Sequence, residues 1–173
     1  MRRFPSLFGL LLTMALAACS GTSDLGRRAP LDCVPFARAL SGINLHGDAA
    51  GWWWQADGLY SRGTLPEVGS VMVFAPAPGL PRGHVAVVSQ VLSRREILVA
   101  QANWVHHRVT SDQLVVDVSP DSDWTLVRVW WPPSEALGSS AWPVQGFIYS
   151  ENLTSHQRIK QNIPIAVHAA LDD

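Results

Sequence analysis

His84-Val85-Ala86-Val87-Val88-Ser89-Gln90-Val91-Leu92 and Glu96-Ile97-Leu98-Val99-Ala100-Gln101-Ala102, joined by Ser93-Arg94-Arg95, decide the fold. Both runs are largely apolar and short for helices. The polar triplet between them reads as a tight turn, so the segment is an antiparallel hairpin. With Ser93-Arg94 as a two-residue turn, Leu92 faces Arg95, Val88 faces Val99, Ala86 faces Gln101 and His84 faces Asn103. Side chains alternate across a strand, so His84, Gln101 and Asn103 share one face, and a slip of one residue would reverse them. An imidazole placed there has an amide beside it that can fix its tautomer.

Working outward, Gly69 to Phe74 is a short apolar run and a further strand. Leu114–Val118 and Trp124–Trp131 follow the hairpin, separated by the turn signal Ser119-Pro120-Asp121, and Phe147–Tyr149 makes a last edge strand. Residues 150–173 show no strong period and are expected to form a tail. Ahead of the strands, Cys33 to Leu40 is helical. Val34, Phe36, Ala37 and Leu40 form its apolar face, Pro35 is tolerated only near a helix start, and Ser41-Gly42 stops it. Cys33 therefore stands at or just before the first turn. Asp48 is positioned to cap a second helix through Trp52, Trp53, Trp54 and Gln55 to about Leu59. Helices followed by an antiparallel sheet define an α+β domain.

The 173 residues suffice for one domain; 47% are apolar and 16% charged, as in a packed core. A net charge of −1 calls for no nucleic acid or other polyanion. Eight tryptophans suit either a core or the walls of a groove, with Trp54 and Trp104 the groove candidates. His106 and His107 are adjacent; on a strand they would point to opposite sides, which argues against a shared metal.

Residues 1–19 read as an export signal. Arg2 and Arg3 precede the apolar Leu7–Ala18, and Leu16-Ala17-Ala18-Cys19 resembles the lipobox of bacterial lipoproteins, in which the cysteine is lipidated. Residues 20–30 are a linker, 31–149 the folded domain and 150–173 the tail. Ser20 is unlike an inner-membrane retention signal, so the expected location is the cell envelope, lipid-anchored through Cys19 and facing the periplasm, at the outer membrane rather than the inner.

Cys19 and Cys33 are the only two cysteines. Export would permit a disulfide between them; lipidation of Cys19 leaves Cys33 as a free thiol. A thiol attacks as thiolate, and a helix N-terminus together with a histidine can depress its pKa. Backbone N–H groups at the same helix start can hold the oxyanion.

Asp32-Cys33-Val34-Pro35-Phe36-Ala37-Arg38 resembles the nucleophile motif of the CHAP family, the cysteine, histidine-dependent amidohydrolases and peptidases. Gly83-His84-Val85-Ala86-Val87-Val88 looks like its histidine strand and Gln101-Ala102-Asn103-Trp104 like its third motif. Pro66-Glu67-Val68-Gly69-Ser70-Val71 is similar to the strand before the histidine. The resemblance spans residues 31–131, and reaches at most Tyr149. It implies a papain-like fold and cleavage of an amide bond in peptidoglycan, as an N-acetylmuramoyl-L-alanine amidase or a peptide-bridge endopeptidase. Carried onto this chain, Cys33 is the nucleophile, His84 the base and Asn103 the group that orients it, with Gln101 as a second orienting residue; no metal or organic cofactor is implied. Two positions depart from the family pattern. Gln101 stands where many members have Glu, and Asp32 where Gln or Gly is common. A carboxylate aimed at the thiol would raise its pKa, so Asp32 is expected to face solvent or cap the helix. The rival readings are a catalytically silent peptidoglycan-binding lipoprotein and another papain-like activity, such as an NlpC-type endopeptidase or an amidase of small exported amides.

Overall fold

A computed structural model describes residues 32–151 and 155–172. The expected signal, its lipidation site Cys19 and the linker lie outside the described residues. Helix α1 (Cys33–Ser41) opens the domain. Asp32 is its N-cap, and Gly42 ends it in the left-handed conformation, its N–H donating to the Arg38 carbonyl. Phe36, Ala37 and Leu40 form the buried face. Phe36 and Leu40 are each worth about 1.5–3 kcal/mol of apolar burial.

The second helix is shorter than expected. A turn of 3-10 helix at Ala49–Gly51 leads into α2 (Trp52–Gln55), and turns continue to Leu59. Asp48 makes no side-chain cap there. Its carboxylate instead pairs with Arg82 at 2.6 Å, so it ties this corner to the start of the histidine strand.

The strands are β1 (Arg62–Gly63), β2 (Val71–Phe74), β3 (His84–Val91), β4 (Glu96–Ala102), β5 (Val109–Asp117), β6 (Leu126–Trp131), β7 (Ala136–Leu137) and β8 (Trp142–Ile148). They lie in the order β1-β8-β2-β3-β4-β5-β6-β7, and β8 also pairs with β6. Strands β2 to β6 and β8 thus close into a barrel rather than an open sheet. The expected edge strand at Phe147–Tyr149 is corrected to a longer, central one that seals this barrel. Closure is long-range pairing, and Pro143 and Gly146 break the local strand signal of β8.

Alternation divides the core in two. Met72, Phe74, Ala86, Val88, Ile97, Val99, Val115 and Phe147 fill the barrel. Val71, Val73, Val85, Val87, Ala100 and Ala102 face outward under the helices. The hairpin pairs Val88 with Val99, as expected, but its turn is not two residues long. Leu92 N–H donates to the Glu96 carbonyl across Ser93–Arg95. A bulge between Val88 and Gln90 absorbs the extra residue and returns the register at the His84 end to the expected one.

The expected tail is also corrected, because residues His156–Leu171 form helix α3. Ser155 caps it, and Ile159, Ile163, Ala166 and Ala170 are its buried residues. They recur at helical spacing and pack on α1. Pro164 and the polar residues between them mask that stripe in the sequence.

Candidate active site

Cys33 is the first residue of α1 and lies against the outer face of β3. The Val85 backbone N–H reaches its sulfur, so the thiol adjoins the peptide that follows His84. Gly83, just before β3, lies close against neighbouring backbone. It has φ +67°, and a Cβ there would come within 2.7 Å of the Phe74 carbonyl and 2.8 Å of Ala50 N.

The thiol is not primed in the expected way. Burial is the largest influence and pushes the Cys33 pKa up to about 11, outweighing the Val85 N–H; the Asp32 carboxylate pushes it further up. Asp32 is exposed and caps the helix, as anticipated, accepting from Cys33 N–H at 2.9 Å. It raises the thiol nonetheless. This cap also occupies an N–H that was expected to hold an oxyanion. Pro35 has none to offer, and Phe36 N–H donates to the Asp32 carbonyl. Val34 N–H is the remaining donor of the first turn.

His84 starts β3 and points into the mouth of the barrel, wedged between Phe74 and Trp104 at ring-centroid distances of 5.5 and 5.1 Å. Burial there holds its pKa down to about 4, against the upward pull of the Gln101 hydrogen bond and the Asp32 charge. Nε2 pairs with Gln101 Oε1 at 2.8 Å. Nδ1 has no hydrogen-bond partner among the described residues.

The side chain hydrogen-bonded to the imidazole is thus Gln101 and not Asn103. Strand β4 ends at Ala102, and Asn103 takes φ +63°, which removes it from the strand's alternation. Its Oδ1 accepts instead from His107 N–H at 3.0 Å and braces the following loop. That loop also corrects the histidine pair: His107 is at φ +58°, and the rings of His106 and His107 lie 3.7 Å apart, tilted by 41°, rather than diverging. Among the described residues there is no group of three or more His, Cys, Asp or Glu side chains able to hold a metal.

Two grooves meet at Asn103. One, of about 340 Å³, is lined by Cys33, Asp32, Asp48, Arg82 and Gly83 among others. The second, of about 450 Å³, is lined by His84, Leu80, Trp104, Trp131 and Trp142. Trp104 lines the second groove. Trp54 does not; it is 70% exposed and lines neither groove. Sequence reasoning missed Arg82, Asp48, Trp131 and Trp142 as groove residues, because only the barrel closure and the Asp48–Arg82 pair bring them together.

Residues 24–103 match the family model of the CHAP domain, a segment that includes Cys33, His84, Gln101 and Asn103. This segment is a CHAP domain. No curated protein matches the chain. CHAP domains are in general amidases and peptidases of peptidoglycan, and this match gives the chain that general character. Strands β5 to β8 and helix α3 lie beyond the matched CHAP segment.

Proposed function

We propose that the chain is a thiol-dependent amide hydrolase of peptidoglycan, either an N-acetylmuramoyl-L-alanine amidase or a peptide-bridge endopeptidase. Cys33 is the nucleophile, His84 the general base and Gln101 the group that orients it. The observation carrying this is directional. With Nε2–H donating to Gln101 Oε1, the Nδ1 lone pair is left to accept the thiol proton, and the Cys33 sulfur lies at the Val85 N–H that follows His84. A helix-borne cysteine, a strand-borne histidine and a side-chain amide behind it support a papain-like site.

Cys33 and His84 are held as a neutral thiol and a neutral imidazole. Burial raises the thiol and lowers the imidazole, so moving the proton between them beforehand is strongly uphill. Transfer therefore accompanies attack. The sulfur bonds to the carbonyl carbon as its proton passes to Nδ1, and the imidazolium then protonates the leaving nitrogen as the C–N bond breaks. Water, deprotonated by His84, hydrolyses the thioester and releases Cys33. Trp104, Trp131 and Trp142 supply an apolar wall for the substrate beside His84. Cys19 is proposed as a lipid anchor holding the domain in the envelope, facing the periplasm.

Mass spectrometry of peptidoglycan after digestion tests this. The wild type is expected to release products with a new amine and carboxyl end, and Cys33→Ala none. Release by Cys33→Ala would refute the nucleophile. The raised thiol favours a second reading, a wall-binding protein without catalysis. Pull-down on intact sacculi with no product from the wild type would establish it.

A further inference from the structure

We infer that Gln113, on β5, is a positioning residue that sets the tautomer of His84 through Gln101, with the backbone carbonyl of Trp130 fixing the polarity of the chain. The inference deepens the proposed reading of His84 as base and rests on it. Gln101 and Gln113 are both buried inside the barrel. Gln101 Nε2 donates to Gln113 Oε1 at 2.8 Å, and Gln113 Nε2 donates to the Trp130 carbonyl at 2.6 Å. The Thr110 hydroxyl donates to the same Gln113 oxygen.

The direction of this chain is forced. A backbone carbonyl only accepts, so the Gln113 NH2 must face Trp130 and its oxygen must face Gln101. Gln101 then has to turn its NH2 toward Gln113 and its oxygen toward His84. The ring must donate from Nε2, which leaves Nδ1 unprotonated and basic. Reversing any amide would set oxygen against oxygen in a buried site, where an unmet polar group is costly. The strand geometry serves the same end. A register shift between Val99–Gln113 and Gln101–Thr110 places one extra residue in β5, at Asp112 with φ +52°. It lets Thr110 and Gln113 both point inward, where strict alternation would have turned one of them out.

Ring-15N-labelled histidine in the full chain, read by long-range proton–nitrogen correlation at pH 7, tests the relay. Wild-type His84 is expected to be protonated on Nε2 alone. Gln113→Met removes the acceptor and frees the Gln101 amide to turn. His84 should then show both tautomers, and kcat on peptidoglycan should fall about tenfold, one neutral hydrogen bond's worth, with KM little changed. Gln113→Glu should rescue both readouts. Buried and protonated, its carboxyl donates to the Trp130 carbonyl and accepts from Gln101. Wild-type His84 protonated on Nδ1 would overturn the inference, and needs no variant to fold. A folded Gln113→Met with Nε2–H as its single tautomer would overturn it equally. Because the tautomer is read without turnover, a chain that cuts nothing would refute the proposed activity while this result still decided the relay.

Discussion

Cys33 should be a slow thiol. With a pKa of about 11, the thiolate fraction at pH 7 is about 1 in 10,000, against about 3% for a free cysteine near 8.5. That is about a 300-fold deficit. A more basic thiolate is intrinsically more nucleophilic, and a Brønsted slope of about 0.45 over 2.5 pKa units returns about 13-fold. The balance is alkylation about 25-fold slower than a free cysteine at pH 7, before any further loss from burial. The assay is iodoacetamide labelling of the full chain, with Cys33 followed by peptide mass so that Cys19 does not contribute. The rate should climb tenfold per pH unit from pH 6 to beyond pH 9. A rate at or above that of glutathione, or a plateau near neutrality, would mean a preformed thiolate–imidazolium pair, and the electrostatic account of the site would be wrong.

Other outcomes follow from the same geometry. The folded-state His84 pKa lies below the unfolded value of about 6.5, so the unfolded chain binds the extra proton; stability is full above about pH 6.5 and falls as pH drops to about 4, by about 3 kcal/mol in all. Urea titrations across that range measure it, and His84→Gln should flatten the slope. Asp32→Asn keeps a capping oxygen but removes the charge that raises the thiol, so Cys33 alkylation at pH 7 should rise while stability moves by less than about 0.5 kcal/mol. Gly83→Ala combines a positive φ with backbone contacts inside 3.0 Å and should cost about 3 kcal/mol or more, read as a drop in Tm of roughly 6–12 °C.

The site was legible where alternation alone governs. Val88 pairs with Val99 and His84 shares the barrel face with Gln101, even though the turn was misjudged, because the bulge near Ser89 cancels the longer turn. A bulge leaves little trace in the residues themselves. The choice between Gln101 and Asn103 depended on one backbone angle at the strand end, which hydrophobic pattern does not encode. Barrel closure by β8 and the inward aim of Gln113 are long-range facts, set by partners far along the chain. The thiol's high pKa was hidden for another reason. The helix start was read correctly, but the cost of burying Cys33 appears only once β3 and α3 are packed around α1.

Asp112 links the end of the chain to its chemistry. The residue that makes the register shift in β5 turns its carboxylate outward, to Lys160 at 2.6 Å and His156 at 3.1 Å, both on α3. Trimming the chain at Tyr149 would strip α1 of its cover and leave Asp112 without either partner. The contacts of Asp112, between Thr110 and Gln113, therefore reach to α3, well past the segment by which the family is recognised. A tag or fusion that loosens that helix would remove the Lys160 and His156 partners of Asp112 from the opposite side of the sheet.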